Sequence, residues 1–277
     1  MTADLNTVLW GDPNAENMVL LVHGLTGRAD AFSALAQELE ARGLTGWRLL
    51  AVDLRGRGAT GRVEGRVGIP SHAADLAALM DREGLEKVAF VGHSLGAMIG
   101  VYLAANQPDR VDKLVLIDGG SDVTDEVDAL LSPVVERLER TYPSREAYVE
   151  YLKSLPVFRD RWDENLERYF AGDVRSEGGG WRHHADLETV TEDREKMQGF
   201  PLSELWPRIG CPTLVLLSTV GLAGPDKGFI LPPPDARRMR EIIPRCALVE
   251  VGNTNHYDIL YSAPKTTVDA IRGFFTT

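Results

Sequence analysis

Short, unbroken apolar runs recur along the chain, and between them lie stretches whose apolar residues repeat with helical spacing. Met18 to Val22, Arg48 to Val52, Lys87 to Val91 and Lys113 to Asp118 are of strand length and mostly lack polar alternation, as in strands covered on both faces. Thr7 to Trp10 reads as a short edge strand. Ala31 to Leu39 places Leu35 and Leu39 four residues apart on one helical face. Ser71 to Arg82 is a second helix, with Ser71 as its N-cap, Leu76 and Met80 on one face and Gly84 as its stop. A third runs from Ala97 to Ala105 and ends before Pro108. Strand and helix alternating in this way predict an α/β fold with a mostly parallel, doubly wound sheet.

The alternation breaks at Gly119. From there to about Trp206 the pattern is helical and charged, and it holds most of the aromatics, among them Tyr142, Tyr148, Trp162 and Trp181. The stretch is too long for a simple crossover, so a mostly helical lid inserted above the sheet is expected. Sheet patterning resumes at Pro212 to Ser218. A Gly- and Pro-rich loop, a helix from Asp235 to Ile243 capped by Asp235, a last strand from Ala247 to Val251 and a C-terminal helix from about Pro264 to Phe275 follow. The expected division is a core of residues 1–118 and 207–277 with a helical cap of residues 119–206.

Composition narrows the function classes. With 277 residues, 44% of them hydrophobic, the chain can bury a sizeable core in one large domain. A net charge of −11 argues against nucleic acid and anionic membrane surfaces as partners and says little about catalysis. No apolar run is long enough to span a bilayer and the N-terminus lacks a leader pattern, so a cytoplasmic protein is expected, monomeric or homodimeric. Cys211 and Cys246 each precede a strand and are expected to be buried free thiols. No histidine and carboxylate spacing indicates a metal site. Gly56-x-Gly58-x-x-Gly61 matches a dinucleotide fingerprint, but the loop Arg62 to Pro70 follows it where a helix is required, which excludes a nucleotide site there.

The chemistry centres on Phe90-Val91-Gly92-His93-Ser94-Leu95-Gly96, where a strand meets Gly-x-Ser-x-Gly and passes into a helix. In such a turn the serine backbone is strained and its hydroxyl is presented at the sheet's end, which makes Ser94 the candidate nucleophile. Two further features follow strands, His23-Gly24 after an early one and His256 after the last. Ligands bind at the carboxyl ends of parallel strands, so the three can converge.

Together with Asp53-Leu54-Arg55-Gly56-Arg57-Gly58, Leu116-Ile117-Asp118 and Asn255-His256, these motifs resemble the α/β-hydrolase fold family over nearly the whole chain. The resemblance implies a catalytic triad. A serine hydroxyl needs a base, and the neutral imidazole of His256 suits that role near pH 7. It implies an oxyanion hole from the backbone N–H groups of Leu25 and Leu95, with Thr26 as the alternative to Leu25. In this family the acid usually follows the penultimate strand, which favours Asp226; an acid after the preceding strand would be Asp118 or Asp122. His23, Gly24, His93 and Trp181 are the expected substrate-binding residues, with His23 shaping the oxyanion loop. The implied function is a cofactor-independent serine hydrolase acting on an ester or lactone carbonyl through an acyl-enzyme. An anionic part of a small apolar substrate would lie near Arg159, Arg161 or Arg182. Carbon–carbon bond hydrolysis, cofactor-free peroxidase activity and a ligand-binding role with little turnover are the alternatives. Epoxide and halide hydrolysis are set aside, because those relatives carry an aspartate where this chain has Ser94.

Overall fold

The apolar runs become strands in the computed structural model, which describes residues 2–277. In chain order they are β1 (Thr7–Gly11), β2 (Asn17–Val22), β3 (Trp47–Val52), β4 (Val88–His93) and β5 (Val111–Ile117). A separate hairpin of β6 (Val174–Glu177) and β7 (Gly180–His183) follows, and then β8 (Thr213–Ser218) and β9 (Cys246–Val251). Seven strands form one sheet in the order β1-β3-β2-β4-β5-β8-β9, all parallel except the antiparallel edge strand β1.

Helices α1 (Ser33–Ala41), α2 (Ile69–Arg82) and α3 (Leu95–Asn106) connect the first strands. After β5 come α4 (Asp125–Glu139), α5 (Arg145–Ser154), α6 (Glu164–Ala171) and α7 (Leu187–Met197). Helices α8 (Pro233–Ile242), α9 (Asp258–Tyr261) and α10 (Lys265–Thr276) complete the fold. None is long and apolar enough to cross a membrane. The period of two along each strand divides the core into two layers. Leu20, Val22, Phe90 and Leu116 pack on one face with α2, α3 and α8. Val19, Leu21, Val91 and Ile117 pack on the other with α1 and α10.

Several local expectations are corrected. Helix α2 starts at Ile69, two residues before Ser71, because Gly68 takes φ +100° as its N-cap and Pro70 pre-sets the first turn. Ser71 Oγ instead donates to the Val67 carbonyl at 3.3 Å. Asp235 lies within the first turn of α8, whose N-cap is Pro232, and its carboxylate accepts from Arg238. Cys211 and Cys246 are free but only half-buried. The unforeseen α9 forms because Asn255 Oδ1 accepts the backbone N–H groups of Tyr257 (2.9 Å) and Asp258 (3.3 Å).

The stretch between β5 and β8 is mostly helical, and Thr124, Ser144, Asp163 and Asp186 cap α4, α5, α6 and α7 through their side chains. It also holds the β6–β7 hairpin, turned at Gly178 and Gly179 with φ +62° and +84°, as a tight hairpin turn requires. The hairpin sequence is polar and mostly exposed, so it carries no buried-strand pattern. Buried Val127, Leu131 and Val135 of α4 join the layer that contains Phe90, and Tyr148 and Phe170 join the layer that contains Val91. The inserted stretch is also tied down by charge. Asp193 of α7, fully buried, meets Arg57 Nη1 at 2.6 Å and His72 Nε2 at 2.9 Å, and accepts the Gly68 N–H at 2.7 Å.

Candidate active site

Ser94 sits between β4 and α3 with φ +55° and ψ −117°, a conformation that costs a non-glycine residue on the order of 1–3 kcal/mol. The turn fits only because its flanks lack side chains. A Cβ on Gly92 would stand 2.2 Å from the Gly96 carbonyl oxygen, and one on Gly96 would stand 1.9 Å from that of Val22. Helix α3 begins at Leu95, so its positive dipole end lies at the serine.

His256, on the loop after β9, is oriented from two sides. Its Nδ1 lies 2.8 Å from Oδ2 of Asp118, a fully buried carboxylate at the end of β5. Its backbone carbonyl accepts from His93 Nε2 at 2.9 Å, and the two imidazoles stack with centroids 4.5 Å apart. Asp118 itself has φ +45°, and its Oδ1 accepts the Ser218 N–H at 3.0 Å. With Nδ1–H donated to the carboxylate, the imidazole keeps a free lone pair on Nε2.

The structure therefore puts Asp118 where the family pattern favoured Asp226. Asp226 is exposed in the loop between β8 and α8 and makes no hydrogen bond among the described residues. Asp122 is occupied elsewhere, accepting from Ser203 N at 2.8 Å and Ser203 Oγ at 2.6 Å. The physical reason is that β5 and β8 are paired neighbours, so an acid at either strand's end lies near the loop after β9.

The loop after β2 is held rigidly. His23 accepts the Leu54 N–H on Nε2 at 3.1 Å, so its Nδ1 carries the proton and donates to the Gly24 carbonyl at 2.7 Å. That carbonyl also accepts the Gly27 N–H at 3.0 Å. Fixing the Gly24 carbonyl turns the Leu25 N–H the opposite way across the same peptide plane. Arg57 Nε then holds the Leu25 carbonyl at 2.9 Å. The N–H groups of Leu25 and Leu95 have no hydrogen-bond partner among the described residues. Burial, partly offset by the Gly24 hydrogen bond, lowers His23 to about 4. Burial and the neighbouring His256 hold His93 well below the usual imidazole range. Both therefore stay neutral near pH 7.

Ser94 and His256 line one small chamber of about 30 Å³ together with Gly24, Leu25, Thr26 and His93. Beside it opens a cleft of about 820 Å³ between α4, the segment Leu155 to Arg161 and the loop Val220 to Pro225. Val134, Leu222 and Tyr257 line both spaces and form the partition between them. Among the described residues no group of three or more His, Cys, Asp or Glu side chains is placed to hold a metal ion.

Other expected site residues fall elsewhere. Trp181 belongs to β7, pairs through its backbone with Tyr142 and lies under the Arg145 guanidinium at 4.8 Å, lining neither chamber nor cleft. Arg182 is tied to Thr141 outside the cleft. Arg161 lines the cleft but is paired with Asp258 at 2.8 Å, and Arg159 is exposed at the rim. The sequence reading missed Arg137. This residue of α4 is only 5% exposed, lines the cleft and donates from Nη2 to Thr26 Oγ1 at 3.1 Å. No linear signal marks it, because Arg137 lies beside, not within, the apolar helical stripe of Val127, Leu131, Val134 and Leu138, where a charge is ordinary for a surface helix.

The chain matches a family described as alpha/beta hydrolase fold over residues 17–263. The sn-1-specific diacylglycerol lipase ABHD11 of Mus musculus is 26% identical over 272 residues, which cover 96% of this chain and 83% of that protein. A thermophilic esterase from Thermogutta terrifontis, solved with malate bound, superposes with a TM-score of 0.74 at 26% identity, covering 98% of this chain and 93% of that one. An E-2-(acetamidomethylene)succinate hydrolase superposes with a TM-score of 0.83 at 24% identity, covering 99% and 95%, a likeness of fold.

Proposed function

This chain belongs to the alpha/beta hydrolase fold family, and from that membership we propose that it is a cofactor-independent serine hydrolase that cleaves a carboxylic ester or lactone through an acyl-enzyme. The observation that carries the reading is the His256 imidazole seated on buried Asp118 at 2.8 Å, in a chamber shared with a strained Ser94. Ser94 Oγ attacks the carbonyl carbon as its proton passes to His256 Nε2. The resulting oxyanion is received by the N–H groups of Leu25 and Leu95 at the head of α3. Asp118 remains ionised and stabilises the imidazolium. His256 then gives its proton to the departing alcohol, which leaves an acyl-Ser94 ester. Water, deprotonated by the same imidazole, hydrolyses that ester and restores the serine.

A chamber of about 30 Å³ has room for about one water molecule and none for an acyl group. The substrate enters from the larger cleft, and the partition of Val134, Leu222 and Tyr257 shifts to admit it. The lipase and esterase relatives support an ester as the bond cleaved. The test is covalent labelling with a fluorophosphonate, followed by peptide mass spectrometry, alongside the pre-steady-state burst with 4-nitrophenyl butyrate. A single adduct on Ser94, a burst of one nitrophenolate per chain and loss of both in Ser94→Ala are expected. An unlabelled Ser94 in the folded protein, with no ester turnover, would refute the reading.

A further inference from the structure

Arg137 is a charged side chain buried at the wall of a cleft with no carboxylate in direct ion-pair contact among the described residues; Asp173 acts on it only through space, and the Phe170 ring lies 5.9 Å from its guanidinium. A guanidinium stays protonated at any physiological pH, and burying it unpaired is costly. Its one side-chain hydrogen bond is to the neutral Thr26 hydroxyl, and its Nε has no partner. The nearby acid Asp173 is already engaged, by Arg28 at 3.1 Å, by the Tyr148 hydroxyl at 3.3 Å and by His183 at 3.5 Å. No carboxylate pairs with Arg137 among the described residues, although this acidic chain has 41 Asp and Glu to draw on. The residue is also placed for a ligand. Leu130, Val134 and Arg137 lie on one face of α4 toward the cleft, and Arg137 touches the loop that carries the Leu25 N–H.

We propose that Arg137 is the anchor for a carboxylate on the substrate, so that the ester cleaved at Ser94 is itself a monoanion. This rests on the hydrolase reading above and names its substrate class. A carboxylate matches the single buried guanidinium fork better than a phosphate dianion does, because the only unpaired cation besides Arg137 that lines the cleft among the described residues, Arg159, is exposed at its rim. Arg28 is paired with Asp173, and Arg161 with Asp258. The apolar lining from Leu130, Val134 and Leu222 would take the short carbon chain between the carboxylate and the scissile bond.

The experiment compares kcat/KM for two matched pairs of esters. In one the acyl part ends in a carboxylate, mono-4-nitrophenyl glutarate against 4-nitrophenyl valerate. In the other the leaving group does, 4-acetoxybenzoate against phenyl acetate. The wild type should prefer the charged member of at least one pair, and in Arg137→Met that preference should fall by roughly tenfold to a hundredfold, the scale of a charge-assisted hydrogen bond. Arg137→Lys, which keeps the charge and loses the fork, should fall in between. Free glutarate should inhibit neutral-ester hydrolysis competitively and raise the melting temperature of the wild type, and do neither in Arg137→Met. Preference for the neutral ester in both pairs with no glutarate effect on the wild type would overturn the proposal, and needs no folded variant. An equal loss on charged and neutral esters in Arg137→Met would also overturn it. The glutarate melting shift is independent of turnover, so a shift without any ester hydrolysis would uphold the anchor while refuting the hydrolase reading.

Discussion

Replacing Asp118 with asparagine tests the site where the structure departs from the family pattern. The two residues are isosteric, so the fold is kept, and the outcome depends on which end of the amide faces His256. The Ser218 N–H requires an acceptor and now bonds Asp118 Oδ1 at 3.0 Å, so the asparagine oxygen will take that place. Its NH₂ is then turned toward His256 Nδ1, which stands 2.8 Å from the other carboxylate oxygen. A donor there forces Nδ1 to accept, and the proton moves to Nε2. The imidazole then presents N–H to Ser94 where a lone pair is needed, and the developing imidazolium has lost its counter-charge. For this class of change the expected loss is about 10⁴-fold in kcat, or about 5 kcal/mol of transition-state stabilisation, with little change in KM. The assay is steady-state hydrolysis of 4-nitrophenyl butyrate at pH 7.5, with melting curves to verify folding. Asp226→Asn, measured in parallel, should stay within about twofold of wild type. An Asp118→Asn enzyme that keeps more than a tenth of wild-type kcat, or an Asp226→Asn enzyme that is equally crippled, would refute the assignment.

Three further outcomes follow from the same geometry. Gly24→Ala places a Cβ 3.1 Å from Ser94 Cβ and 3.3 Å from His93 Nδ1, so kcat/KM should drop at least about tenfold while the melting temperature moves by only a few degrees; unaltered turnover would show that the chamber is looser than drawn. Arg57→Met leaves Asp193 buried beside His72 without its guanidinium and should cost about 3–5 kcal/mol in urea unfolding, against less than about 1 kcal/mol for Lys87→Met on the surface. His23 remains neutral in the fold down to about pH 4 while an unfolded histidine protonates near 6.5, so between those values the unfolded chain binds more protons. Stability should therefore rise with pH through that window and be lost on acidification, by roughly 3 kcal/mol from this residue. Calorimetry from pH 7.5 to 4.5 should show a shallower acid decline in His23→Asn than in wild type; identical slopes would contradict the assignment.

What could be read from the sequence and what could not divide along a physical line. The strands were legible because β2, β4 and β5 are buried on both faces, so almost every residue in them must be apolar. The elbow was legible because the close approach at Gly92 and Gly96 admits no side chain, so the chemistry of the turn is written in adjacent letters. The carboxylate that holds His256 was not, because its identity depends on pairing between strands far apart in the chain. Leu216 pairs with Ile117, and Ser218 with Val251, so the ends of β5, β8 and β9 are brought together only by the sheet. An aspartate leaving β5 and one leaving β8 are equivalent in a linear reading. What separates them is that Asp118 turns at φ +45° directly off the strand, under the Ser218 N–H, while the loop after β8 runs away to the surface and carries Asp226 with it. Arg137 escaped for the opposite reason. Its helix was foreseen as part of a charged stretch, and a charge on a surface helix normally means solvent. Only the packing of α4 shows that this cation is buried, beside Thr26, on a face of the helix that it shares with Leu130 and Val134 at the cleft. A buried cation with no carboxylate paired to it among the described residues is the feature that a ligand carboxylate would complete, and it is why the charge of the substrate, more than the length of its chain, should govern turnover.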